Sequence, residues 1–235
     1  MIRAILFDYG LTLVSFSYPR PQLLAAMERV RGWLPPPAPS ANWILEQVLV
    51  PLEEGLAEFD RATGGSDYFA YYRAAWRRAG LDLDSDTLWR IIDLEQDVWA
   101  SAVIPAPGVH SALRTLRARG LGLAVASNAP FPGPMLHRQL RRQGLLELVD
   151  GAVFSSELGC RKPDPRFYRA ALERFGWAPQ DVIYVGDRLE EDYLGPLRAG
   201  MAAVICRALA AGPIAAQIPS IAALEQLPEY LGGLG

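Results

Sequence analysis

Acidic side chains follow two apolar stretches of the chain, in positions where they could act on a bound ligand. Asp8 ends the apolar run 4–7, and Asp187 follows the run 182–185 and one glycine, with Asp192 five residues further on. A continuous apolar run bounded by turn residues is typical of a central parallel strand. Ligands bind outside the carboxyl ends of such strands. Carboxylates that meet there can supply the hard oxygen ligands that Mg²⁺ prefers.

A hydroxyl, an amide and one ammonium are expected at the same edge of the sheet. Ser127 and Asn128 follow the predicted strand 121–126, although such residues are also ordinary in turns. Lys162 is the only lysine among 23 basic residues, and it lies just ahead of a predicted helix. An ammonium there could neutralise an anionic substrate. We interpret its neighbour Arg161 as a surface charge.

The composition excludes several classes of protein. Of the 235 residues 51% are apolar, which excludes a disordered chain and allows a full core. The net charge of -3, without a basic stripe, argues against a nucleic-acid partner. No apolar stretch approaches the ~18 residues of a membrane span, and the N-terminal run is too short for a signal peptide. Cys160 and Cys206 have neither disulfide nor metal-ligand spacing, so we expect a cytoplasmic protein without a membrane partner.

Hydrophobic periodicity divides the chain into two kinds of segment. After the first strand the pattern is helical over 21–32, 41–60, 66–80 and 85–101. From residue 105 onward helices and strands alternate: helices over 109–119, 132–144, 165–176, 190–199 and near 220–230, and strands over 121–126, 151–154, 181–185 and 202–206. This alternation predicts an α/β fold with a doubly wound parallel sheet. We expect a core of residues 1–14 and 105–235 and an α-helical cap segment, residues 15–104, placed above Asp8.

Taken together, these residues resemble the sequence motifs of the haloacid dehalogenase (HAD) superfamily of phosphatases and related hydrolases. The four motifs occur in the order of that family: Phe7-Asp8 with Thr12, Ser127-Asn128, Lys162-Pro163-Asp164-Pro165, and Gly186-Asp187 with Asp192 and Gly195. The resemblance implies a HAD-like Rossmannoid core, and the segment 15–104 looks like that family's helical cap.

The resemblance also implies a covalent mechanism and a metal. Asp8 would attack phosphorus to form an aspartyl-phosphate, which water then hydrolyses. Mg²⁺ would offset the repulsion between the carboxylate and the phosphate. Its ligands would be Asp8, the backbone carbonyl of Gly10, Asp187 and, directly or through water, Asp192.

The remaining motif residues would bind the substrate, which the resemblance implies is a small phosphorylated molecule. Ser127 and Lys162 would hold the oxygens of the transferring phosphoryl group, with Asn128 beside them. Thr12 would brace the first loop.

The first motif departs from the pattern of the phosphatases it resembles. The residue two positions after Asp8 is normally a second aspartate, which protonates the leaving oxygen, and here it is Gly10. General acid–base help is worth ~10²–10⁴-fold, so an alkyl phosphate should be a slow substrate. The following residue, usually glycine, is Leu11, so we expect the turn geometry to differ.

Three explanations of this departure stay open. The enzyme acts on good leaving groups, such as acyl or aryl phosphates, or recruits an acid from the cap segment. Alternatively, it is a 2-haloacid dehalogenase-type hydrolase, which Lys162 with Tyr168 would suit, although Gly186-Asp187 favours a metal-dependent enzyme. The third is a catalytically weak phosphate-binding or interaction protein, in which Arg188 fills the phosphate position or pairs with a metal-ligand carboxylate. A receiver-like domain, phosphorylated on aspartate, would not need so large a helical insertion.

Overall fold

A parallel sheet forms the centre of the molecule. The computed structural model describes residues 1–64, 66–210 and 212–233. The strands in these residues are β1 (Ala4–Phe7), β2 (Val14–Phe16), β3 (Val103–Pro105), β4 (Gly122–Ser127), β5 (Gly151–Phe154), β6 (Val182–Gly186), β7 (Ala202–Cys206) and β8 (Ser220–Ile221). Six of them pair in the order β5-β4-β1-β6-β7-β8, and each of these pairings is parallel.

The central position of β1 determines where the site lies. Phe7 is in register with Val125 of β4 on one side and with Val185 of β6 on the other. All three strands are largely apolar, and all their residues except Gly122 are buried, as expected for a sheet covered on both faces. The residues that follow β1, β4 and β6 therefore meet at one edge of the sheet, where strand order reverses.

Helices cover both faces of the sheet and build the segment between β2 and β3. They are α1 (Arg20–Arg31), α2 (Ala41–Ile44), α3 (Val50–Thr63), α4 (Tyr68–Arg78), α5 (Ser85–Ala102), α6 (Val109–Ala118), α7 (Gly133–Arg142), α8 (Ser155–Leu158), α9 (Pro165–Phe175), α10 (Gly195–Arg198) and α11 (Leu227–Gly232). Single π-helical stretches join α2 to α3 (Leu45–Leu49) and precede α10 (Leu189–Leu194). None of the described helices is both long and apolar enough to cross a membrane.

The predicted α/β fold with its doubly wound parallel sheet is confirmed, and the last predicted helix is wrong at its start. Ser220–Ile221 is a strand rather than the first turn of a helix 220–230, because it pairs with Ile205 and Cys206 of β7. Helix α11 begins only at Leu227. The pairing adds a short strand to the edge of β7, a contact that the periodicity of 220–230 does not reveal.

The cap segment has a hydrophobic core of its own. Its largest fully buried side chains are those of Tyr72 and Trp76, which lie among aliphatic residues from α1, α2 and α5. An antiparallel ribbon that the sequence did not predict joins its two ends, with Phe16 opposite Val103. This ribbon runs across both predicted borders of the segment, and the domain limits themselves stay a prediction.

Candidate active site

Asp8 lies at the end of β1 with its carboxylate held on one side. Its backbone N–H donates to the carbonyl oxygen of Val185 at 2.9 Å, so the residue continues the sheet pairing before the chain turns. The residue is 7% exposed. Its Oδ1 accepts hydrogen bonds from Ser127 Oγ at 2.8 Å and from Lys162 Nζ at 2.6 Å. Its Oδ2 accepts none from the described residues, so this oxygen is available to a ligand.

Lys162 is buried among acidic and phenolic oxygens. Its Nζ donates to Asp8, to Asp192 Oδ1 at 2.6 Å and to the hydroxyl of Tyr184 at 2.9 Å. Burial alone would lower the pKa of this ammonium, but the charges of Asp192 and Asp8 raise it well above its usual value. The lysine is therefore charged at neutral pH. Tyr184, whose hydroxyl donates to the carbonyl of Ala126, was missed by the sequence reasoning. The signal was a single phenol in an otherwise aliphatic strand.

Asn128 positions the loop that carries Lys162. Its Nδ2 donates to the carbonyl oxygen of Lys162 at 3.1 Å, and its Oδ1 accepts the N–H of the same residue at 2.8 Å. A contact of Asn128 with phosphate stays a prediction. The structure gives less support for Thr12 as a brace, because its buried Oγ1 has no hydrogen-bond partner among the described residues.

Three buried carboxylates meet beside Lys162. One oxygen from each of Asp8, Asp187 and Asp192 lies within 4.8 Å of the others. Asp192 is fixed by its Oδ2, which accepts the N–H groups of Asp187 at 3.0 Å and Arg188 at 2.9 Å. Burial and then the charges of Asp8 and Asp192 raise the pKa of Asp187 to about 7. One ammonium does not balance three carboxylates, so this donor set fits a hard divalent cation.

A cavity of about 460 Å³ opens above Asp8, between the sheet edge and the cap segment. Its core side contains the motif residues, and its cap side contains residues of α3 and α5. The core side includes Asp8, Gly10, Ser127, Asn128 and Arg188, and the cap side includes Glu53, Asp60, Gln96 and Trp99. The volume is in the range of small-molecule sites.

The first loop accommodates both departures from the family pattern. A Cβ atom at Gly10 would lie 3.4 Å from Cε1 of Phe16, so the ring of Phe16 occupies the space next to the missing side chain. Leu11 has a φ of 61°, in the left-handed region that glycine favours. Leu11 therefore adopts a conformation that glycine favours, and a turn geometry different from that of the family stays a prediction.

Arg161 is not the surface charge that the sequence suggested. Its side chain is 20% exposed, and its Nε lies 3.0 Å from Asp60 Oδ2 on α3. Its Nη2 lies 3.3 Å from Glu191, which also pairs with Arg188 at 3.3 Å. Among the described residues, Arg188 therefore pairs with Glu191 and with none of the three clustered carboxylates. Arg161 links the cap segment to the loop of Lys162.

Comparison with known proteins identifies the family. A family model described as haloacid dehalogenase-like hydrolase matches residues 2–200. The chain belongs to the haloacid dehalogenase-like hydrolase family. It is therefore a hydrolase, and its relatives include phosphatases.

Relatives and a solved structure match most of the chain. It is 29% identical to the glyceraldehyde 3-phosphate phosphatase of Methanopyrus kandleri over 209 residues, 88% of this chain and 84% of the relative. It is 28% identical to the phosphoglycolate phosphatase of Pseudomonas putida over 98% of this chain and 79% of the relative. The structure of a 2-haloacid dehalogenase from Pseudomonas syringae pv. Tomato DC3000 has a TM-score of 0.68 at 27% identity, with 100% of both chains covered.

Proposed function

We propose that this HAD-family hydrolase is a Mg²⁺-dependent phosphohydrolase that uses Asp8 as its nucleophile. The observation that carries the proposal is the arrangement around Asp8. One of its oxygens accepts from Ser127 and Lys162, the other is free of hydrogen bonds from the described residues, and two further carboxylates lie within 4.8 Å. A phosphate monoester in the cavity would meet the free oxygen.

The reaction consists of two displacements at phosphorus. A carboxylate oxygen of Asp8 forms a bond to phosphorus while the bond to the leaving oxygen breaks, and an aspartyl-phosphate results. Water then attacks phosphorus, the bond to Asp8 breaks, and inorganic phosphate leaves. Ser127 and Lys162 donate hydrogen bonds to the phosphoryl oxygens as charge develops on them.

The residues present fit a magnesium ion. Asp8, Asp187 and the carbonyl of Gly10 would hold it, with Asp192 contributing directly or through water. When bound, the ion offsets the repulsion between Asp8 and the phosphate. Asp192 meanwhile keeps Lys162 and the loop of Asp187 in place.

The leaving group receives no proton from the first loop, because Gly10 has no side chain. The proposed enzyme therefore prefers acyl and aryl phosphates, whose leaving oxygens need little protonation, unless another group supplies the proton.

The test is hydrolysis of p-nitrophenyl phosphate and acetyl phosphate with and without Mg²⁺. We expect turnover that requires Mg²⁺ and is lost in Asp8→Asn. If the wild type hydrolysed neither compound faster than Asp8→Asn, a phosphate-binding protein would remain.

A dehalogenase is the second candidate, because the similar solved structure is that of a 2-haloacid dehalogenase and Gly10 replaces the second aspartate. Tyr168, which would suit a dehalogenase, is buried, and its hydroxyl donates to the carbonyl of Glu191 at 2.6 Å. The carboxylate cluster favours the phosphatase. Release of chloride from 2-chloropropionate without metal would instead select the dehalogenase.

A further inference from the structure

The cap side of the cavity contains a pair of acids that the proposed reaction does not use. Glu53 on α3 lines the cavity, and Glu95 on α5 is 1% exposed. The Oε1 atom of each is buried without a hydrogen-bond partner among the described residues. Glu95 Oε2 accepts from the hydroxyl of Tyr72 at 2.6 Å. Unpaired buried carboxyls are costly, so this arrangement calls for a partner.

The protein itself supplies no cation to this pair. Among the described residues, neither Glu53 nor Glu95 forms an ion pair with a basic side chain. The arginines that line the cavity already have acidic partners: Arg61 with Glu58, Arg161 with Asp60, and Arg188 with Glu191. A cation that joins Glu53 must therefore come from a ligand.

Gln96 and Trp99 add two independent features beside the acids. Gln96 lines the cavity and is 8% exposed, yet its Nε2 has no hydrogen-bond partner among the described residues. Its amide approaches the hydroxyl of Tyr68 without a hydrogen bond of normal geometry. Trp99 presents an aromatic surface to the cavity, with Phe16 lining it as well. Aromatic faces attract ammonium groups, and the free N–H of the amide can donate to a hydroxyl or ester oxygen of a ligand.

We propose that, among alkyl phosphates, the protein prefers phosphate monoesters of amino alcohols, with the phosphate at Asp8 and the protonated amine at Glu53. The proposal rests on the proposed phosphohydrolase function for the phosphate end, and on the cap residues alone for the amine end. Hydrolysis then yields an amino alcohol and inorganic phosphate. A substrate with a carboxylate at the far end would face the acidic pair of Glu53 and Glu95 without a cation to balance it and bind poorly.

The protonation of Glu53 and Glu95 also depends on the charge of the ligand. Burial, followed by the charge of Glu95, raises the pKa of Glu53 to about 8, and burial raises the pKa of Glu95 to about 7. The indole N–H of Trp99 and the hydroxyl of Tyr72 act against this rise. The groups facing the pair from the neighbouring elements, the phenols of Tyr18 and Tyr68, have raised pKa values and stay neutral. The pair therefore retains a proton at neutral pH, and an ammonium that replaces it releases that proton.

The kinetic test compares substrates of equal size with and without an amine. We expect kcat/KM to be at least tenfold higher for 3-aminopropyl phosphate than for butyl phosphate, since charge-assisted hydrogen bonds are strong. Phosphoglycolate should be poorer than either. Glu53→Gln should reduce the ratio of the two kcat/KM values to about one, chiefly by raising KM for 3-aminopropyl phosphate. Glu54→Gln, exposed on the same helix, is the matched control and should retain it.

A binding test separates this inference from the proposed function. By calorimetry, Asp8→Asn should bind 3-aminopropyl phosphate at least tenfold more tightly than butyl phosphate and release a proton on binding. Equal affinities would overturn the amine site even if p-nitrophenyl phosphate is hydrolysed. A different result would separate the two proposals: no ester is hydrolysed by the wild type, yet Asp8→Asn binds the amine ester more tightly and Asp8→Asn/Glu53→Gln does not. In that case the hydrolase mechanism would be wrong and the amine site would be supported. An equal fall in kcat for amine and neutral esters in Glu53→Gln would make Glu53 a general acid instead, and would also overturn the proposal.

Discussion

Gly10 and Phe16 share one space beside the nucleophile. A side chain added at Gly10 would contact the ring of Phe16, which is itself 53% exposed and free to be replaced. The absence of an acid at this position and the presence of the ring are therefore one structural feature. In a Gly10→Asp variant that keeps Phe16, the new side chain would pack against the ring and have little free space.

The double variant Gly10→Asp/Phe16→Ala should hydrolyse butyl phosphate at least tenfold faster than Gly10→Asp alone, because general acid help is worth ~10²–10⁴-fold when the acid is well placed. Acetyl phosphate should gain little, since its leaving group needs no proton. Steady-state rates with both substrates check this, with Phe16→Ala as the control. Equal rates for the single and double variants would show that Phe16 does not limit the acid.

Leu11 provides a test of backbone strain at a single residue. A side chain at φ 61° costs about 1 kcal/mol, so Leu11→Gly should be more stable than Leu11→Ala by roughly that amount. At a residue with negative φ the order is reversed, because glycine costs ~0.5–1 kcal/mol relative to alanine. Denaturant unfolding of both variants measures the difference. The same pair of substitutions at Leu121 is the control, and the same order at both positions would contradict the strain.

Glu53 on α3 and Glu95 on α5 lie close enough to interact electrostatically, and this affects stability as well as binding. Burial, with the charge of Glu95, raises the pKa of Glu53 from 4.5 to about 8, and burial raises that of Glu95 from 4.5 to about 7. Between pH ~4.5 and pH ~8 the folded protein binds more protons than the unfolded chain, because both folded-state pKa values are raised. Its free energy of unfolding therefore falls as pH rises from ~4.5 to ~8.

Glu95→Gln should reduce this pH dependence. We expect similar melting temperatures for the variant and the wild type near pH 5, and a variant several degrees more stable at pH 8. In a chain of this size ~1 kcal/mol corresponds to about 2–4 °C. Thermal unfolding across this pH range measures the difference, and Glu54→Gln should follow the wild type. If the melting temperatures of Glu95→Gln and the wild type changed in parallel with pH, Glu53 and Glu95 would not titrate in this range.

The local hydrophobic pattern of the sequence predicts most helices and strands well, but it predicts poorly which short strands pair with each other. Asp8, Ser127 and Asp187 were found because each ends or follows an apolar strand, and parallel strands end at one edge. The ribbon of β2 with β3 was not found, because three-residue strands far apart in sequence have no recognisable period. The strand β8 was misassigned for the same reason.

Arg161 forms the least exposed ion pair between the cap segment and the core, whereas the pairs Arg138–Asp93 and Arg142–Asp97 lie on the surface. Arg161→Gln removes the partner of Asp60, whose side chain is 10% exposed. We expect backbone amides of α3 to exchange hydrogen faster by roughly tenfold, which corresponds to about 1.4 kcal/mol, while amides of α6 keep their rates. Hydrogen exchange by mass spectrometry measures both helices.

The control for this connection is Arg166→Gln, because Arg166, in the first turn of α9, pairs with the neighbouring Asp164 and its side chain is 71% exposed. Unchanged exchange of α3 in Arg161→Gln, or an equal change in Arg166→Gln, would show that the ion pair does not hold the cap segment. No sequence pattern could predict this pair, since Asp60 and Arg161 are far apart in the chain. The acids of the cap cavity were likewise hidden in ordinary helical periodicity.

The ribbon of β2 and β3 has a consequence for how the chain tolerates its long insertion. Because Val14 pairs with Pro105 and Phe16 with Val103, the two crossing points of the chain are held as neighbours wherever the helices between them lie. The ribbon therefore closes the insertion as a loop before the chain enters the sheet, and lengthening this loop adds little to the entropic cost of closing it. Exchange of the segment for another of different length, joined at the same ribbon, should leave the strand order of the sheet intact.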